Sequence, residues 1–228
     1  MTIEEYFGEW SKIVNLKDAK NVLTRLTSLK SVLCPQIKDV FKAFTICSLD
    51  KLRVVIIGQD PYMEFRNNEP VATGIAFANR ADTPDRSLSP SLKVIKDSVI
   101  DFTLPHGNII FDPSLEKWEE QGVLLINSAL SCERGKAGSH SLIWRPFMRT
   151  FITHLSRYKT GVVYVLMGSD AQTLEKFIAG GNHVLRVHHP AYYVRTGTPM
   201  PSDLWRKINI ILDGQNGEKI KWFEEVSF

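Results

Sequence analysis

Cysteine is scarce in this chain of 228 residues. There are three, Cys34, Cys47 and Cys132, odd in number and widely scattered. That excludes a disulfide framework and reads as core thiols in a reducing compartment. No CxxC, HExxH or EF-hand spacing occurs, which leaves a metal site without support. No apolar run approaches the roughly 20 residues of a membrane helix, so no membrane partner is expected. Charge of either sign is not in excess: 28 basic residues stand against 25 acidic ones, a net +3. This is compatible with nucleic acid but does not argue for it. A GxSxG elbow and a phosphate-binding glycine loop are both missing, which leaves little room for an α/β hydrolase acting on a small substrate. The opening MTIEEYFGEW has no basic n-region, so no secretory signal is expected. The expected location is cytoplasmic, or nuclear in a eukaryotic source. No basic tail, repeat, low-complexity tract or linker marks a boundary, and a single domain over 1–228 is expected.

What the chain does have is 43% hydrophobic residues, enough for a substantial core, gathered into four short apolar runs after residue 50. They are RVVIIG (53–58), GVLLIN (122–127), GVVYVLMG (161–168) and HVLRVHH (183–189). Runs this short, rich in Val, Ile and Leu and apolar nearly throughout, read as strands covered on both faces. Helical patterns separate or follow them at 89–100, 142–158, 170–179 and 202–212, and the first 48 residues read as mostly helical. Strands alternating with helices predict a three-layer α/β/α fold around about four parallel strands.

The exits of these runs are polar. The first leads into Gln59-Asp60-Pro61-Tyr62, and the second ends in Asn127. The third reaches Gly168-Ser169-Asp170, and the fourth His188-His189-Pro190. Ligands of parallel α/β sheets bind at the carboxyl ends of the strands. Gly, Asn, Asp and Pro also end strands for turn-chemical reasons alone. One such exit is a turn; four that supply a carboxylate, an amide, a hydroxyl and an imidazole point to a site.

At GQDPY (58–62), GIAF (74–77), GVLLINSAL (122–130) and HHPA (188–191) the chain resembles the family-1 uracil-DNA glycosylases. These enzymes cut the N-glycosidic bond of uracil in DNA and so begin base-excision repair. The resemblance covers most of 50–222 and is weak before that. It implies a monofunctional, metal-independent hydrolase without cofactor, expected as a monomer. Its partner would be uracil-containing DNA, single- or double-stranded, with a proteinaceous inhibitor as a further possible partner. By the same resemblance Asp60 is the catalytic aspartate that orients water and offsets charge on the sugar, and His189 donates a hydrogen bond to uracil O2. Asn127 pairs with N3 and O4, Phe77 stacks on the base, and Tyr62 fills the place of a thymine methyl. Gln59 contributes through its backbone. Ser91, in SLSPSL, and Ser169, in MGSD, are candidates for phosphate contact, and Arg195 could add a charge contact.

The chain departs from the family pattern in three places. Met63 and Thr73 stand where the family has histidines, and MEFRNNEPVA (63–72) replaces a short Gly-Pro-Gly turn. The loop that follows the catalytic histidine reads HPAYYV. Its Ala191 lacks a serine hydroxyl, and the leucine that fills the vacated space in the duplex falls at Tyr193, with Tyr192 beside it. An aromatic wedge is therefore expected at Tyr193, with Tyr192 as the second candidate and a tyrosine packed under the loop as the alternative. The altered loop also keeps a second reading open, a DNA-binding module without catalysis, against which the retained Asp60 and Asn127 speak.

Overall fold

The computed structural model describes residues 2–101 and 108–226. Its centre is a four-stranded sheet: β1 (Val54–Gly58), β2 (Val123–Asn127), β3 (Val163–Met167) and β4 (His183–Val187). The strands lie in the order β2-β1-β3-β4 and every neighbouring pair is parallel. The main helices are α1 (Leu16–Ser28), α2 (Pro90–Asp101), α3 (Ser141–Tyr158), α4 (Pro190–Thr196) and α5 (Asp203–Gly214). Among the described residues no helix is long and apolar enough to cross a membrane.

Alternation along the strands divides the core. Val55, Ile57, Leu124, Ile126, Tyr164 and Leu166 face a cluster built with α1, α3 and the other N-terminal helical segments. Val54, Ile56, Val123, Leu125, Val163 and Val165 face the opposite cluster, where Trp118, Trp205 and Trp222 meet under α2 and α5. This is the expected three-layer architecture, and β1, β2 and β3 are buried from end to end.

Two local readings of the sequence do not hold. The fourth run is an edge strand, with His183 and Arg186 exposed, and it stops at Val187. Arg186 spends its charge outward on Glu175. The pattern at 170–179 is broken as well. One α turn, Ser169–Gln172, gives way to a 3-10 turn, Glu175–Phe177. Thr173 puts its hydroxyl on the Asp170 carbonyl at 2.6 Å, and Leu174 donates to Ala171, three residues back. The side chain and the tighter bond compete with α-helix propagation.

The other edge, β2, is covered. The Leu125 carbonyl accepts the Ala76 amide at 3.1 Å, and the Leu125 amide donates to Glu119 Oε1 at 3.2 Å. Both open valences of a central edge residue are thereby closed. Glu119 is fully buried, and among the described residues its Oε2 has no partner. Burial pushes its carboxyl well above the usual range, against the lowering effect of the Leu125 amide. A carboxyl raised in the folded state destabilises the fold as pH climbs from the unfolded to the folded value, by about 1.4 kcal/mol per pH unit in that window. Glu119→Gln should therefore flatten the decline of Tm between mildly acidic and mildly alkaline pH. Thermal unfolding across that range checks this; a variant whose Tm falls with pH as steeply as the parent's contradicts it.

Candidate active site

Parallel pairing brings the four carboxyl ends to one edge, with Gly58 in register with Asn127 and Met167 with Val187. A cavity of about 250 Å³ opens there, and Gln59, Asp60, Tyr62, Phe77, Asn127 and His189 all line it. A larger cavity, about 900 Å³, lies beside Arg53 at the opposite ends of the strands and carries none of these residues.

The β1 exit is stitched to the β2 exit by backbone. The Gly58 carbonyl accepts the Ser128 amide at 3.0 Å, and the Gln59 carbonyl accepts the Ser128 hydroxyl at 2.7 Å and the Ala129 amide at 3.1 Å. Gln59 thus contributes through its main chain, which turns Asp60 into the cavity. Asp60 Oδ2 accepts the backbone N–H of Gly138, from the loop before α3. Burial pushes the Asp60 carboxyl above its ordinary range. The Gly138 amide opposes this, while Asp170 and Glu64 add to it. The site holds its carboxylate with a peptide dipole rather than a cation.

His189 caps α4: its Nδ1 accepts the Ala191 amide at 3.1 Å. An acceptor at Nδ1 places the proton of a neutral ring on Nε2. Burial holds the imidazole below its usual pKa, outweighing the nearby Asp170. Gly168 allows the close packing behind it. With φ at +92°, it leaves so little room that a Cβ would sit 2.8 Å from His189 Cβ.

Phe77 is buried 5.6 Å from the His189 ring, at an interplanar angle of 45°. Its φ is +66°, a conformation that costs a bulky residue about 1–3 kcal/mol. Neighbours enforce it: Ala76 is pinned to Leu125, and the Phe77 carbonyl accepts the Tyr62 hydroxyl at 2.9 Å. That bond also fixes the Tyr62 ring at the cavity wall. Asn127 is buried, and among the described residues no hydrogen bond engages its side-chain amide. Among the described residues the cavity therefore presents an unengaged amide donor and acceptor side by side.

The proposed DNA contacts separate. Ser91, in the first turn of α2, is buried and lines the cavity. Ser169 is exposed on the same edge but outside the cavity, one residue past Gly168. Tyr193 corrects the sequence reading, because it is buried in the core, 6% exposed, and does not protrude as a wedge. The loop expected there is the helix α4, opened by Pro190 at its first turn, and helical geometry turns Tyr193 inward. Tyr192 is the half-buried aromatic, stacked on His188 at 4.2 Å and 20°, with the exposed Arg195 5.8 Å from its centroid.

Three supports were not visible in the sequence reading. Gly138 holds Asp60, and its positive φ of +71° gives only a generic turn signal. Asn79 clamps Ser89 ahead of α2, accepting its amide at 2.7 Å and donating to its hydroxyl at 2.8 Å. Residues 63–72 form a hairpin, Phe65–Arg66 against Glu69–Pro70, around Asn67 and Asn68, both at positive φ. This is the geometry of a two-residue primed turn. Met63 and Glu64 from its base line the cavity.

Fold and site define a parallel α/β protein whose strand exits bring an acid, an amide and an imidazole around one small cavity. Comparison with known proteins narrows this. Residues 44–213 match the model of the uracil DNA glycosylase superfamily. A uracil-DNA glycosylase of Mycoplasmopsis pulmonis is 36% identical over 193 residues, 84% of this chain and 83% of that one. One of Vibrio parahaemolyticus is 32% identical over 97% of this chain and 95% of its own. Among solved structures, mimivirus uracil-DNA glycosylase superposes with a TM-score of 0.74 at 22% identity, covering 97% of this chain and 93% of that one. A variant of the mimivirus protein in complex with UGI gives 0.79, again at 22% identity, covering 97% and 88%. The chain belongs to the uracil-DNA glycosylase superfamily.

The His189 contact has a direct spectroscopic consequence. Nitrogen-detected NMR near neutral pH should show a neutral imidazole protonated at Nε2, titrating below an ordinary histidine. An Nδ1–H tautomer, or a pKa above the usual value, contradicts the assignment.

Proposed function

We infer that this protein excises uracil from DNA by hydrolysis of the N-glycosidic bond, leaving an abasic site for base-excision repair. The observation that carries the reading is the convergence of Asp60, Asn127 and His189 on one cavity of about 250 Å³. The extruded base stacks on Phe77, and the Asn127 amide accepts from N3–H and donates to O4. Cytosine presents the reverse pattern and leaves both groups mismatched inside a buried site. The Tyr62 ring occupies the space a 5-methyl group needs.

Bond cleavage leaves a cationic sugar and an anionic base. His189 Nε2–H donates to O2 as negative charge gathers there, and a neutral imidazole does so without giving up its proton. The Asp60 carboxylate, which lines the same cavity, offsets the positive sugar and orients the water that adds hydroxide to C1′. The water's second proton goes to solvent, and the uracil anion is protonated after departure. Electrostatic complementarity of this kind is the largest lever available for a reaction that separates charge. In this reading Ser91 and Ser169 take phosphate oxygens, Arg195 adds charge, and Tyr192 enters the space the base leaves. An inhibitor protein of the UGI kind, found with the mimivirus relative, would act on this chain by covering the same edge.

Release of uracil from a labelled oligonucleotide should persist in EDTA and fall by about 10²–10³-fold in Asp60→Asn and in His189→Ala. With an ionised Asp60 required, kcat/KM should drop on the acid side at a pH above the ordinary aspartate range. Full activity in Asp60→Asn contradicts the mechanism. Tyr62→Ala should release thymine from ordinary DNA above background. Absence of thymine release from a variant that still cleaves uracil contradicts the wall assigned to Tyr62.

A further inference from the structure

Helix α3 carries no acidic residue along Ser141–Tyr158. Arg145, Arg149 and Arg157 recur at multiples of four, which sets them on one stripe, and all three are exposed. Where α3 meets the turn Glu175–Phe177, the stripe borders a groove of about 380 Å³. Arg149, Arg157, Lys176, His154 and the Phe177 ring form its walls, with no carboxylate among the lining residues. Arg149 and Lys176 each lie 5.3 Å from the Phe177 centroid, so the ring holds two like charges over one apolar surface. None of the ion pairs among the described residues uses Arg149, Arg157 or Lys176. The acid next in sequence, Glu175, is taken by Arg186. Converging cations without a counter-charge repel one another, and this cost disappears when an anionic partner sits between them.

We propose that this groove docks an acidic peptide segment of a partner protein, with carboxylates on Arg149, Arg157 and Lys176 and an apolar side chain against Phe177 and Ile178. Position favours a peptide over the DNA substrate. α3 begins at Ser141, beside the loop that holds Asp60, and at 1.5 Å per residue Arg149 lies about 12 Å and Arg157 about 24 Å further along its axis. A duplex seated across the strand exits runs over that edge rather than down this flank. The groove is also short and has an apolar wall of Phe177, Ile178 and Ala179, which suits a few residues of mixed acidic and apolar chain. The surface stands apart from the catalytic residues, so binding here and uracil release are separate readouts.

Fluorescence anisotropy tests the proposal with a labelled peptide of aspartates and glutamates carrying two leucines. Its Asn/Gln counterpart and a uracil-free oligothymidylate serve as competitors. The acidic peptide should bind saturably at low salt, the amide counterpart should not, and the double variant Arg149→Glu, Arg157→Glu should weaken binding by about tenfold or more. The same variant should release uracil at the parent rate, which also reports that it folds. Failure of the acidic peptide to saturate, or binding indifferent to the charge reversal, overturns the proposal. So does an oligothymidylate that displaces the peptide and itself loses affinity in the variant, since the groove would then read phosphates.

Discussion

The close approach of Gly58, Asn127 and Phe77 is the constraint on which the rest of the site depends. The Asn127 Oδ1 and the Phe77 ring lie where a side chain on Gly58 would begin; a Cβ there would be 2.7 Å from Phe77 Cζ and nearer still to Oδ1. The Asn127 amide at the end of β2 and the Phe77 ring can meet in one small space beside β1 only if β1 ends without a side chain. Backbone bonds then lock the arrangement. Ser128 and Ala129 return to Gly58 and Gln59, and Ala76 is pinned to Leu125. Phe77 stays in its strained left-handed conformation because its neighbours leave it no other.

The electrostatics follow from the same crowding. Asp60 and His189 are both partly withdrawn from water, and burial raises one pKa and lowers the other. Each shift favours the neutral form, yet the chemistry requires only the histidine to be neutral. The Gly138 amide keeps the carboxylate available by offering a hydrogen bond to its charged form. The Ala191 amide selects the histidine tautomer. Two main-chain N–H groups, one from the loop before α3 and one from the first turn of α4, thus favour the charged form of the acid against its burial and fix the tautomer of the imidazole.

Much of this was legible in the sequence because strand exits in a parallel sheet have fixed meaning. Once 53–58, 122–127 and 161–168 read as buried strands, Asp60 and Asn127 had to share an edge, and His189 joined them from the fourth run. Tyr193 was misread because the segment after His189 looked like a loop, whereas Pro190 starts a helix and helical periodicity turns that ring inward. Gly138 and Asn79 went unseen because their work is done by a backbone amide and by a short local clamp, and neither leaves a periodic or spacing signal. The edge character of 183–187 was hidden for a similar reason: an apolar run does not say whether another strand lies beside it.

The central claim is that Asp60, Asn127 and His189 surround a single uracil ring. Titration of the protein with free uracil, followed through the Asn127 side-chain amide and the His189 Nε2–H resonances, tests it most directly. The account predicts that both signals shift together and saturably with uracil and stay in place with cytosine. Uracil binding that leaves the Asn127 amide unmoved, or cytosine moving both signals equally, would contradict it.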